Sequence, residues 1–371
     1  LTRILLVRLR LLGDVALTTP TIRALRHRFP DAHITYLVEP AAAPVVAANP
    51  HLNEVIVVPK RGGLARVLDD LAMARRLRRG RFDVAIDLHG GPRAAWLAWA
   101  SRAPTRIGYS IVGRTWMYTH VVERAAELRA RHSVVNQADL LGPLGIDGCD
   151  SVREPMEMAD DVGARERLER RLAEVGISHR DPLVVMHIGA GNRFRQWPAQ
   201  SFAATSAALV LRNTGLRVIL VSGPSDQAAI AAVAQEARAE AGAAGARVLE
   251  GRYDLFELRE LIARAAVYIG GDSGPLHVAA TTRTPIVALF GATLPEVSRP
   301  WRDPRWFTEA VDAGALPCRP CNQRHCAPGD FRCLTRISTD RVVAAAERAL
   351  QHWEEHRGLS VDGPVMTGSR A

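Results

Sequence analysis

The chain has 371 residues, 47% hydrophobic and 23% charged, the balance of a globular protein long enough for two domains. No run of 18 apolar residues occurs, which excludes a spanning helix of ordinary length. The net charge is +9, and residues 1–150 hold 21 basic against 13 acidic side chains, so the basic excess sits in the first half. A basic half suits an anionic partner: a phosphorylated glycolipid, an anionic membrane surface or nucleic acid.

Residues 2–8 read as a strand. Its apolar part, Ile4 to Val7, is broken by Arg8 and Arg10, and no small-residue cleavage site follows. It does not read as a signal peptide, so a cytoplasmic location is expected. Residues 9–14 read as a loop and 15–28 as a helix with Leu17, Ile22 and Leu25 on its apolar face. Asp14 follows a glycine and opens that helix. The position suits an N-cap, and the helix dipole favours the ionised carboxylate. Residues 33–38 and 54–58 are further strands. Residues 64–79 form an amphipathic helix with a basic end, where Arg75, Arg76, Arg78, Arg79 and Arg81 make the densest basic run of the chain. Such a run is either a solvated helix terminus or a footprint for an anionic membrane. Residues 82–88 are a strand ending at His89-Gly-Gly91. Strands alternating with helices predict a parallel sheet covered on both faces, with ligands at the carboxyl ends of its strands. Gly13-Asp14 and His89-Gly-Gly91 lie at such ends.

Residues 151–181 read as the crossover between domains, with a helix from about 159 to 175. A second series of strands starts at 182–187. The Gly189-Ala-Gly191 that follows resembles a dinucleotide fingerprint only superficially, because Phe194 stands where the third glycine belongs. Arg195, two residues before Trp197-Pro198, reads from the residues alone as a solvated arginine. A strand over 216–222 ends near Asp226, which suits a helix N-cap. Residues 253–265 read as a helix. The apolar run 265–269 then reads as a buried strand, and Gly270-Gly271 as a tight turn. Asp272 or Ser273 can cap a helix starting at Gly274-Pro275, whose first N–H groups suit a phosphate. His277 falls one turn on from Ser273, on the same face. A second buried strand, 285–290, leads to another glycine turn at 291–293.

The stretch Gly270-Gly-Asp-Ser-Gly-Pro-Leu-His277-Val-Ala-Ala280, followed by Pro285-Ile-Val-Ala-Leu-Phe-Gly-Ala-Thr293, resembles the signature of glycosyltransferase family 9. This is the family of ADP-heptose:lipopolysaccharide heptosyltransferases. Arg8-Leu-Arg-Leu-Leu-Gly-Asp14-Val-Ala-Leu-Thr-Thr-Pro20 resembles the family's opening motif, and Arg106 to Tyr109 and His132 also resemble family positions.

The resemblance implies a GT-B architecture, in which two Rossmann-like α/β domains face each other across a cleft. Residues 1–160 would bind the acceptor and residues 175–340 the sugar nucleotide. A helix at 341–357 is expected to pack back on the first domain. The polar tail 358–371 is expected to be disordered. The implied reaction is inverting transfer of a heptose or related sugar from an ADP-sugar to a glycan hydroxyl, in assembly of lipopolysaccharide core or a related surface glycan, without a catalytic metal.

The resemblance gives Asp14 the role of base. Arg195 stands where the family usually has lysine, keeping the charge but presenting a planar fork. With the helix start at Ser273 and Gly274, it would hold the diphosphate. Asp226 would contact the ribose, while Asp272 and His277 would orient donor sugar or phosphate. An anionic glycolipid or glycan is the implied acceptor, met at the inner membrane face. A sugar-nucleotide epimerase or hydrolase on the same fold is the competing reading. A basic nucleic-acid-binding protein ranks lower, since no recognisable binding module is present, and no nucleic-acid partner is expected.

Of five cysteines, Cys149 stands alone. Cys318, Cys321, Cys326 and Cys333 fall within 16 residues. In a chain with no export signal such a cluster favours a structural zinc or iron ion over disulfides, with reduced thiols or one disulfide pair as the alternative.

Overall fold

The computed structural model describes residues 2–124, 131–223 and 226–356. They form two six-stranded sheets, parallel throughout, each with helices on both faces. In the first lobe the strands are β1 (Arg3–Val7), β2 (His33–Val38), β3 (Glu54–Val57), β4 (Val84–Asp87), β5 (Thr105–Tyr109) and β6 (His120–Val122). Their order is β3-β2-β1-β4-β5-β6. In the second lobe they are β7 (Leu183–His187), β8 (Arg217–Val221), β9 (Val248–Gly251), β10 (Val267–Gly271), β11 (Ile286–Phe290) and β12 (Thr308–Asp312), in the order β12-β11-β10-β7-β8-β9. Read from β9, this is the arrangement of the first lobe again. Both are the doubly wound order, whose direction reverses between the first and fourth strands of each lobe. The architecture is GT-B, as the family resemblance implies.

The central strands are apolar on both faces because both faces are covered. In β1, Ile4 and Leu6 pack with Ile22 and Leu25 of the helix Thr19–Arg28. Leu5 and Val7 point the other way, toward Met73 and Leu77 of Gly63–Arg79 and Leu97 of Pro92–Ala100. The second lobe repeats the scheme. Val184 and Met186 of β7 join one core, and Leu183 and Val185 join the other.

Three expectations are revised. The helix predicted over 15–28 is two helices, Leu12–Ala16 and Thr19–Arg28. Pro20 has no N–H to continue the ladder. The hydroxyls of Thr18 and Thr19 instead donate to the carbonyls of Val15 and Ala16, at 2.7 and 2.8 Å. The crossover helix, Val162–Glu174, is part of the second lobe, with Leu168 and Leu172 buried in its core. The last helix, Thr339–His356, packs on the second sheet and not on the first domain. Its buried stripe is rich in alanine (Ala345, Ala346, Ala349), which lets it lie close against β10, β11 and β12. Arg357 and the tail 358–371 lie outside the described residues. Among the described residues no helix is long and apolar enough to cross a membrane.

Candidate active site

In the second lobe the site is built on the turn after β10. A Cβ placed on Gly271 would stand 2.7 Å from the carbonyl oxygen of Arg195, so only glycine lets the segment after β7 lie against this strand end. Asp272 follows, 1% exposed. Its Oδ1 accepts from Ser298 Oγ at 3.1 Å, and its Oδ2 lies 3.2 Å from Arg195 Nη1. With both oxygens so engaged, Asp272 does not cap the helix Gly274–Ala279. Ser273 occupies the N-cap position, but its hydroxyl makes no capping bond and has no hydrogen-bond partner among the described residues. The side-chain cap expected of these two residues is therefore not formed.

His277 is buried, with Nε2 3.8 Å from Asp272 Oδ1. Burial lowers its pKa. The charges of Asp272 and Asp14 oppose that shift, Arg195 adds to it, and the net direction is down. The lowered pKa favours the neutral imidazole, which can donate from one nitrogen and accept at the other.

Arg195 is held at the site and is not a freely solvated side chain. Nε donates to Gln323 Oε1 at 3.0 Å, and Nη1 to the Asp272 carbonyl at 3.3 Å. The side chain is 34% exposed, leaving part of the guanidinium open to a ligand.

In the first lobe Asp14 sits in the first turn of Leu12–Ala16, three positions past the N-cap residue Leu11, and is not itself the cap. Its Oδ2 accepts from the Leu11 N–H at 3.1 Å and pairs with Arg8 Nη2 at 2.9 Å. Burial by itself would raise the Asp14 pKa. The Arg8 charge, the Leu11 and Arg8 hydrogen bonds and His277 outweigh it, and the pKa lies below the ordinary carboxylate value. The side chain remains 42% exposed, so the ionised oxygens are accessible.

Beyond it, Asp87 at the end of β4 is fully buried. It accepts from Tyr118 Oη at 2.7 Å and from the backbone N–H groups of His89 and Gly90. His89 is lowered to about 4 by burial and by the charges of Arg8, Arg10 and Arg114. It opens onto a cavity of about 230 Å³ lined by Arg10, Glu39, Lys60, Arg61, Arg66 and Arg93.

The two lobes touch at this point. A Cβ on Gly13 would stand 2.8 Å from His277 Cδ2 and 3.2 Å from Gly274 Cα. One on Gly274 would stand 2.6 Å from Leu12 Cδ2. Gly274 therefore serves as the bare contact against which the first lobe's opening helix rests. His277 feels the charges of Asp14, Asp272 and Arg195 together, so these predicted residues form one electrostatic unit.

Two other sets lie apart. Asp226 lines a separate cavity with Gly189, Arg193, Trp197 and Phe331, its carboxylate packed over Gly189. The four clustered cysteines border a third cavity of about 360 Å³, together with Phe194. Among the described residues no group of three or more His, Cys, Asp or Glu side chains is gathered closely enough to hold a metal ion. Sequence reasoning missed Arg8, Ser298 and Gln323. Arg8 follows the last residue of β1, six residues before Asp14, and was open to notice. Ser298, at the end of the short helix Pro295–Ser298, and Gln323, in a loop, reach the site from far along the chain and carry no local signal.

The sequence pattern of glycosyltransferase family 9 (heptosyltransferase) matches residues 71–330. The chain belongs to glycosyltransferase family 9. Lipopolysaccharide heptosyltransferase 3 of Escherichia coli K12 is 30% identical to this family 9 enzyme over 349 residues, covering 91% of this chain and 95% of that protein. A crystal structure of a family 9 glycosyltransferase from Veillonella parvula superposes with a TM-score of 0.81 at 26% identity, covering 94% of this chain and 97% of that one. The structure of E. coli ADP-heptose lipopolysaccharide heptosyltransferase II shares the fold with a TM-score of 0.74 at 20% identity, over 95% of this chain and all of that one. The chain is thus a heptosyltransferase-like glycosyltransferase, the reading set above the epimerase or hydrolase alternative.

Proposed function

We propose that this enzyme moves a heptose or closely related sugar from an ADP-activated donor to a hydroxyl of an anionic glycan, in assembly of lipopolysaccharide core or a related surface glycan. The observation that carries this reading is the meeting of an accessible, ionised Asp14 with the Arg195, Asp272 and His277 group at the contact between lobes. As the acceptor oxygen attacks the anomeric carbon, Asp14 takes its proton, and the bond from that carbon to the diphosphate oxygen breaks. A single displacement inverts the carbon. The charge that develops on the departing ADP falls to Arg195 and to the backbone N–H groups of the Ser273–Gly274 turn. The buried His277 and Asp272 orient the donor. Asp226, at the end of the neighbouring strand, is assigned the ribose. No step uses a metal.

Calorimetry against ADP, UDP and their sugars tests the donor, and product analysis with and without acceptor tests transfer. Tight UDP-sugar binding with no response to ADP overturns the nucleotide assignment. Turnover without acceptor returns the site to hydrolysis.

For the acceptor, the cavity around Arg10, Lys60, Arg61 and Arg66 supplies positive charge beside His89 and close to Asp14. The helix Gly63–Arg79 supports contact with an anionic inner membrane face. Leu64, Val67, Leu68 and Leu71 are exposed along one side, and Arg75, Arg78 and Arg79 continue that side. Charges of this kind contribute on the order of 1 kcal/mol each at such a surface. Neutralising three of Arg75, Arg76, Arg78, Arg79 and Arg81 should reduce co-sedimentation with anionic liposomes and leave ADP binding intact. Wild-type protein that stays in the supernatant at low salt overturns the membrane contact.

Cys318, Cys321, Cys326 and Cys333 border one cavity but are not gathered into a coordination cage; we infer that the four thiolates, drawn together, would be a donor set suited to zinc or iron. A metal there would cross-link the loop without entering the reaction. Elemental analysis should find about one zinc or iron per chain, and stripping it should loosen residues 318–333 without abolishing nucleotide binding. Four titratable thiols and no metal in freshly purified protein would end this assignment.

A further inference from the structure

Gln323 lies between Cys321 and Cys326, in a loop more than a hundred residues from Arg195 in sequence, yet it makes three hydrogen bonds at the donor site. Its Oε1 accepts from Arg195 Nε at 3.0 Å and from Asn192 Nδ2 at 3.0 Å. Its Nε2 donates to Thr293 Oγ1 at 3.3 Å. One amide thus ties the turn after β7 to the turn after β11. The loop around it is anchored independently. Arg319 donates to Asp312 Oδ2 at 2.6 Å and to the Thr293 carbonyl at 2.9 Å, and its side chain is 3% exposed. The same turn is gripped from its other side. Phe194, 4% exposed, meets the Phe331 ring at 5.2 Å between centroids and lines the cavity of the four cysteines.

A free arginine samples many rotamers, and ordering it costs affinity each time a ligand binds. Here Asp272 fixes Nη1 and Gln323 fixes Nε, so the plane of the guanidinium is set before any ligand arrives. We propose that Gln323 is a positioning residue for Arg195, through which the cysteine-bearing segment sets the affinity of the site for the donor's diphosphate. This rests on the reading of Arg195 as a diphosphate ligand. It explains why a thiol-rich loop with no part in the chemistry lies against the site: its conformation reaches the phosphate through one side chain.

The test uses the full chain and calorimetry with ADP and, separately, adenosine. Gln323→Met keeps the volume and removes all three hydrogen bonds. It should weaken ADP about tenfold, the scale of a hydrogen bond to a charged group, and leave adenosine affinity unchanged. In an Arg195→Ala background the same substitution should have no further effect. Equal losses for ADP and adenosine, or additive losses in the double variant, overturn the proposal and make Gln323 a general support of the loop. Arg195→Ala with unchanged ADP affinity overturns the donor-site reading itself. A loss in Arg195→Ala with none in Gln323→Met overturns the positioning role alone.

Discussion

The two lobes share a strand order and place their working residues at equivalent points, yet the chemistry at those points is opposite in character. In the first lobe, Asp14 follows the first strand and His89 the fourth. In the second, Arg195 follows the first strand of its sheet and Asp272 and His277 the fourth. Each lobe thus offers the two loops that flank the reversal of strand order, where a parallel sheet opens a crevice. The first lobe fills it with a half-exposed carboxylate, held ionised by Arg8, beside a cation-lined cavity. The second fills it with a buried carboxylate, a buried imidazole and a partly open arginine. The fold decides where a ligand can sit, and under the proposed function the side chains decide which half accepts a proton and which half receives an anion.

The sharpest way to break this division is at Asp14. Asp14→Asn keeps the shape and removes the proposed base, so turnover should fall by about two to four orders of magnitude, the range for losing a general base. ADP affinity, which the proposed function assigns to the other lobe, should stay close to wild type. Equal losses in both quantities would mean that Asp14 supports the donor site and is not the base.

A smaller effect is expected where the lobes touch. Gly13→Ala introduces a Cβ 2.8 Å from His277 Cδ2 and 3.2 Å from Gly274 Cα. One partner is backbone and the other a buried ring, so neither yields easily, and overpacking of this kind costs about 1–3 kcal/mol. Thermal melting should drop by several degrees and turnover should fall with it. A variant with wild-type melting and turnover would show that the two glycines do not need their close approach.

Most of the fold was legible because buried parallel strands advertise themselves. β1, β2, β7, β10 and β11 are near-continuous apolar runs bounded by turn residues. Edge strand β3 was read over 54–58, but the edge strands β6 and β12 were not legible. β6 is His120-Val-Val122 and β12 is Thr308-Glu-Ala-Val-Asp312, half polar and recognisable only from the neighbour they pair with. Asp14, Arg195, Asp272 and His277 lie in the segments that resemble family motifs, and the structure brings them together at the contact between lobes. Their partners were not legible. Ser298 binds Asp272 across 26 residues and Gln323 binds Arg195 across 128, and local pattern carries no record of such pairings. The last helix was misplaced for a related reason. An amphipathic stripe says that a helix is covered, not by which sheet.

The smallest effect concerns pH, and it isolates the first lobe's half of the comparison. The Asp14 pKa lies below its ordinary value of about 3.9 because Arg8 and the Leu11 N–H overcome the opposing effect of burial. A group depressed in the folded state adds stability above its unfolded pKa and loses it as pH falls through the folded one. The Arg8–Asp14 pair is therefore intact across the neutral range and dissolves only in acid below about pH 4. The acid limb of kcat/KM that belongs to Asp14 should lie in that same region. Arg8→Gln removes the opposing charge while burial remains, so the carboxyl pKa should rise and the acid limb should move toward neutrality. A pH series of initial rates on the two proteins, with ADP affinity measured alongside, separates the outcomes. An upward limb with constant ADP affinity places Arg8 in the first lobe's proton chemistry. An unmoved limb means that the carboxylate titrating in the rate is not Asp14, and the base must be sought elsewhere in the cleft.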